Sequence, residues 1–129
     1  MKNPGFWRGT FIAASLWNLG ACALGLLCYE FSIELLFGAM AGPESFRAEL
    51  FFRFFVAAVG VFGLGYFMVA KKLEANRDIV RLGLIAKLVI FVTVLVCFIQ
   101  GLVTVWFLAA AIGDFLWSFL FIAFLVGRK

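Results

Sequence analysis

Histidine is absent from the chain, and with it go imidazole metal sites, histidine-ligated haem and any Ser-His-Asp triad. Cysteine is scarce. Cys22, Cys28 and Cys97 form no C-x-x-C pair, so the usual dithiol oxidoreductase chemistry is not expected. Cys28 and Cys97 fall near the same end of two expected helices, which leaves a disulfide geometrically open, but buried, inert thiols are the expected state. There is no Gly-rich phosphate loop and no H-E-x-x-H. Charged residues make up only 14% of the chain and there are 2 prolines, so little material remains for a domain in water.

What is present is apolar. Of 129 residues 66% are hydrophobic, 18 of them phenylalanine, and the mean hydropathy is +1.13. These values imply an integral membrane protein rather than a water-soluble domain. A helix needs roughly 20 apolar residues to cross a hydrocarbon core of about 30 Å, and the runs lack the alternation of a membrane β-barrel. Four spans are expected, at about 6–29, 50–70, 79–100 and 102–126, in a single transmembrane domain covering 1–129. The expected fold class is all-α, an integral membrane four-helix bundle.

Between the first two spans, FSIELLFGAMAGPESFRAEL is broken by Gly38, Gly42 and Pro43. Its Ile33, Leu36, Phe37 and Met40 spacing suits a short amphipathic segment, about 31–42, lying at the interface. LEANRD makes a short polar turn between the second and third spans, and QG a still shorter one between the third and fourth, forcing those two to be antiparallel neighbours. Lys2, Arg8, Lys71, Lys72, Arg77, Arg81, Arg128 and Lys129 fall on one side, against Arg47 and Arg53 beside Glu30, Glu34, Glu44 and Glu49 on the other. The positive-inside rule therefore places both termini in the cytoplasm, with a bacterial inner membrane as the expected location. The net charge of +4 is a topology signal and points to no nucleic acid. Leu19 to Cys22, LGAC, resembles a lipoprotein cleavage site, but the apolar run continues through ALGLLCY and an uncleaved first helix is expected.

Each span carries one polar residue of interest. Asn18 is near the middle of the first and Arg53 about one turn into the second. Lys87 lies roughly 12 Å into the third and Asp114 roughly 18 Å from the end of the fourth, at 1.5 Å per residue. All four have small neighbours at helical spacing: Ala14, Ser15, Ala21, Cys22 and Gly25 around Asn18, Ala57 and Gly60 in line with Arg53, Gly83 before Lys87, Ala110 and Ala111 before Asp114. Such residues, as in Ala21-x-x-x-Gly25 and Ala109-x-x-x-Gly113, let another backbone approach, so the polar groups should face other helices and not lipid. A lone Asp or Lys near the bilayer centre costs about 2.5 to 3.5 kcal/mol, which makes Lys87 and Asp114 expected partners. Asn18 is then placed to hydrogen-bond the carboxylate, while Arg53 has Glu49 one turn away and Glu30 and Glu34 within reach.

Two readings of this set stay open. One is a buried ion pair that fixes helix register; the other is a pocket or path for an ion or small lipophilic molecule, lined by Asp114, Lys87, Asn18 and Arg53. Trp17 and Trp117 lie deep in their helices, where they serve packing or form an aromatic wall around a ligand. No cofactor or metal is implied. One acid, one lysine and no histidine form a thin catalytic set, which favours binding or passage over catalysis. The expected partners are the lipid bilayer and either further copies of the chain or another subunit of a membrane complex.

The stretches WNLGACALGLL (17–27), RFFVAAVGVFGLGYFMVA (53–70), NRDIVRLGLIAKL (76–88) and GDFLWSFLF (113–121) resemble a group of small bacterial four-span membrane proteins with no established activity. More loosely, the chain is similar to DoxX-like four-helix membrane proteins. The resemblance implies a four-helix bundle, and it implies that Gly65, Tyr66, Gly83, Lys87, Asp114 and Trp117 belong to the group's pattern.

Overall fold

A computed structural model describes residues 2–38 and 46–127, without the side chains of Phe46 and Arg47. The chain is all-α. Its helices are α1 (Pro4–Leu27), α2 (Tyr29–Phe37), α3 (Phe46–Lys71), α4 (Arg77–Ile99) and α5 (Val105–Val126). Four of them, all but α2, are long and apolar enough to cross a membrane. Of the interfacial segment expected at about 31–42, the part from 39 onward, with Met40, Gly42 and Pro43, lies outside the described residues. So do Glu44, Arg128 and Lys129.

The first expected span, 6–29, is matched by a helix of the same length that starts and ends two residues earlier, at a bend. Pro4 opens α1 at a position where its missing N–H is not needed. The helix stops at Leu27 because Cys28 leaves helical geometry (φ −119°, ψ 54°), and α2 starts at once. In an apolar surrounding a broken helix must satisfy its backbone groups internally. Here the Leu24 carbonyl accepts both the Cys28 N–H (2.9 Å) and the Ser32 hydroxyl (3.1 Å). The far end of α2 is held by α5: the Thr104 N–H donates to Leu36 O at 2.9 Å and the Thr104 hydroxyl donates to the carbonyls of Leu35 and Leu36.

The turn between α4 and α5 is longer than the QG expected for it, running over 100–104. Gly101 takes a positive φ of 74°, and the Leu102 N–H returns to Cys97 O at 2.9 Å. This closure of a helix C-terminus by a left-handed glycine consumes residues that apolarity alone assigns to the next helix. At the opposite end, the Asn76 side chain donates to Met68 O at 2.8 Å and Arg77 Nη2 donates to Leu125 O at 2.6 Å, so α4 begins by capping the ends of α3 and α5. Cys22, Cys28 and Cys97 are free thiols.

α1 packs along α3, and α4 along α5. The α1–α3 contact is close because α3 supplies glycines: a Cβ at Gly60 would lie 2.6 Å from Cys22 Sγ, and one at Gly63 would lie 3.1 Å from the Leu19 backbone nitrogen. α3 meets α4 mainly near their shared turn, where Tyr66 fills the space left by Gly83. Around that end lies the packed core: Phe11, Ala14, Tyr66, Val69, Val80, Phe121 and Phe124, all buried. Its rings meet edge to face or tilted, Phe11 with Phe124 at 4.9 Å and Tyr66 with Phe121 at 5.0 Å. Toward the α2 end α3 and α4 stand apart, and a cavity opens.

Candidate functional site

Lys87, Asp114 and Asn18 meet between α1, α4 and α5. Lys87 Nζ donates to Asp114 Oδ1 at 2.7 Å and to Asn18 Oδ1 at 3.2 Å. α4 starts two residues earlier than expected, so Lys87 stands ten residues, about 15 Å, from the Arg77 end of its helix. Asp114 stands twelve residues, about 18 Å, from the Val126 end of the antiparallel α5, and the two come level without a strained lysine stem. Burial is steep: Lys87 is 3% exposed and Asn18 5%, while the Asp114 side chain keeps 18%.

Asn18 differs from its expected role. Its carbonyl oxygen faces the ammonium, and its Nδ2 donates to Val59 O on α3 at 3.1 Å. A side-chain amide can serve both directions, so Asn18 supports the lysine and ties α1 to α3, and it does not bond the carboxylate. The other side of the ammonium is covered by rings, with the Tyr66 centroid at 5.5 Å and the Phe121 centroid at 5.9 Å. In the sequence Tyr66 stands out only through the resemblance to small four-span proteins. The signal for it in the sequence is Gly83, one turn before Lys87: a Cβ there would come within 2.5 Å of the Tyr66 hydroxyl, so only glycine admits the phenol beside the ion pair.

This polar group forms one end of a cavity of about 520 Å³. α2 closes the opposite end with Ser32, Leu35 and Leu36, and the walls are apolar, among them Val56, Val59, Ile90 and Phe107. Trp17 also lines it on the α1–α5 side, the outer edge of its indole set close against Gly113, where a Cβ would stand 2.6 Å from the ring. On the α3–α4 side a second space of about 530 Å³ shares Phe52, Phe55, Val89, Ile90 and Phe107 with the first, and extends it to Ala48, Thr93 and Cys97. The volume is within the roughly 300–1,000 Å³ of small-molecule sites, which are mostly apolar with a few convergent polar groups.

Two of the expected lining residues lie elsewhere. Arg53 binds Glu49 at 2.9 Å, one helical turn back, and sits over the Tyr29 ring at 4.9 Å with 40% of its side chain exposed. A long cationic stem near a helix end finds its counter-charge locally and has no reason to reach inward. Trp117 packs on the aromatic core, since one turn beyond Asp114 along α5 is already the packed end. The Ala109-x-x-x-Gly113 pair also divides: Ala109 is exposed, and Gly113 receives Trp17.

Among the described residues no group of three or more His, Cys, Asp or Glu side chains could hold a metal ion. Comparison with family models, with curated proteins and with solved structures finds no match. The site itself holds one ion pair, one amide and one phenol at the edge of an apolar chamber.

Proposed function

We propose that the protein is a four-span membrane bundle, both termini in the cytoplasm, that binds a small lipophilic molecule between its helices. α2 would then lie toward the outer face, and the small bacterial four-span proteins that the sequence resembles would share the architecture. The cavity of about 520 Å³ beside Asp114 carries this reading. An ion pair kept only to fix register needs close packing around it, and a chamber of that size leaves it unpacked on one side. Passage of ions across the bilayer is less well supported. Beyond Lys87 the route to the α3–α4 turn is filled by Tyr66, Phe11, Phe121 and Phe124, which offer a hydrated ion no polar lining. Catalysis is less well supported, since Lys87 and Asp114 are engaged with each other and Tyr66 is the one further proton-transfer side chain described beside them.

The test is native mass spectrometry of the protein released from nanodiscs. A lipophilic molecule should remain at close to one per chain, and Ala110→Phe, which adds a ring to the chamber wall from α5 and keeps both partners of the ion pair, should remove it. Equal retention by the wild type and Ala110→Phe would overturn the reading.

A further inference from the structure

The polar end of the cavity has used its hydrogen-bonding capacity unevenly. Two of the three Lys87 protons go to Asp114 Oδ1 and Asn18 Oδ1, and the remaining face of the ammonium lies toward the Tyr66 and Phe121 rings. Asn18 accepts from Lys87 and donates one of its two amide N–H groups to Val59. Ser32, at the α2 end, has given its proton to Leu24. Asp114 is different. Only its Oδ1 is engaged, its Oδ2 has no protein partner among the described residues, and it is the most accessible member of the trio. The pole thus offers a charged acceptor that asks for a donor, and on the same wall the Tyr66 hydroxyl, with no protein acceptor among the described residues, can return a hydrogen bond.

Charge narrows the donor further. Lys87 and Asp114 neutralise each other, and Arg53 is paired with Glu49 outside the chamber. A phosphate or carboxylate would face Oδ2 with lone pairs of its own. A fixed cation would add a charge with no counter-ion left inside an apolar chamber. A neutral hydroxyl satisfies Oδ2 and brings no net charge. The remainder of the occupant is apolar, because among the described residues the adjoining space of about 530 Å³ has only Thr93 and Cys97 for polar side chains. The Thr93 hydroxyl already donates to Val89 O at 2.8 Å. That space lies between α3 and α4, whose residues Phe55 and Val89 are exposed at its border, so it faces the surroundings of the protein sideways.

From this we infer that the occupant is a long-chain molecule ending in a neutral hydroxyl, which donates to Asp114 Oδ2 while the chain lies in the crevice between α3 and α4, through which it enters. The inference rests on the proposed binding role, and its test separates the two. The wild type in phosphatidylcholine nanodiscs is photolabelled with a diazirine-bearing long-chain alcohol, and labelled positions are mapped by peptide mass spectrometry. Labels are expected within 52–59 and 86–94, and absent in Ala110→Phe. Unlabelled alcohol should compete about tenfold or more better than its methyl ether, which keeps the size and loses the donor. It should likewise outcompete the matching alkyl phosphate and alkyltrimethylammonium. In Asp114→Asn the preference of alcohol over ether should fall to about twofold. If the ether competes as well as the alcohol, or the phosphate or ammonium competes better, while labels stay in the crevice, the hydroxyl inference falls and the binding role stands. Labels that fall outside the cavity, or persist in Ala110→Phe, overturn both. Should Asp114→Asn fail to fold, the ether comparison on the wild type still decides.

Discussion

The two ends of the helix assembly are built on opposite principles. Around the α3–α4 turn, Phe11, Tyr66, Val69, Val80, Phe121 and Phe124 interlock with little space between them. Around α2, residues of the same kinds, Phe52, Phe55, Val56 and Phe107, line an open chamber. Composition does not separate the two. The difference lies in what joins the helices: at the packed end rings from α1, α3 and α5 meet one another, whereas at the open end α3 and α4 diverge and α2 props the gap with its own Phe37 against Phe52 and Phe107. Lys87, Asp114 and Asn18 mark the boundary. Apolar helices in lipid gain little from hydrophobicity when they associate, so packing and hydrogen bonds decide where they touch and where they part.

Breaking the boundary should have the largest effect. Asp114→Ala leaves the Lys87 ammonium buried without its counter-charge and should cost about 3 to 5 kcal/mol. Lys87→Met combined with Asp114→Ala should recover most of that loss, as read from thermal unfolding in detergent. A double variant as unstable as Asp114→Ala alone would mean that the carboxylate contributes through something other than the lysine. Next comes the contrast between the ends themselves. Phe121→Ala removes a ring packed against Phe11 and Tyr66 and should cost about 3 kcal/mol. Phe55→Ala, at the rim of the chamber, should cost less than about 1 kcal/mol, because its contacts are already incomplete. Equal losses at the two positions would erase the distinction between a packed and an open end. The smallest effect sharpens the role of α2. Thr104→Val removes the hydroxyl that ties α5 to the Leu35 and Leu36 carbonyls, worth about 1 kcal/mol. Hydrogen exchange should speed up in 29–37 and stay unchanged in 66–73, and a uniform change along the chain would contradict a local tie.

The pairing of Lys87 with Asp114 is legible in the sequence because two charges in long apolar runs have few places to go, and their distances from the helix ends limit the choice. The four long helices are legible for the same reason of length and apolarity. The end of α1 at Leu27 is not, because Cys28 and Tyr29 are as apolar as what precedes them, and the bend depends on a hydroxyl at Ser32 reaching back to Leu24. Depth and spacing alone group Arg53 and Trp117 with the ion pair. Spacing along one helix leaves its rotation about its own axis undetermined, so a residue at a suitable depth can still point away. Arg53 took the acid one turn back, and Trp117 joined the core. Tyr66 and Thr104 are harder to read because each acts on a partner more than fifteen residues away: Gly83 signals a close approach at Lys87 without naming the ring that fills it, and nothing local announces the tie from Thr104 to α2.

The sequence by itself determined that the chain forms long apolar helices, that a lysine and an aspartate must share a buried place, and that glycines allow helices to approach. Those follow from the cost of exposing backbone and charge to an apolar surrounding, which is paid residue by residue. Only the tertiary structure decided that one end closes and the other stays open, and that the free oxygen of Asp114 borders the open side. Whether equally apolar side chains fill a space depends on how far apart the backbones carry them, and that separation is set jointly by Tyr66 against Gly83, Trp17 against Gly113 and the bend at Cys28.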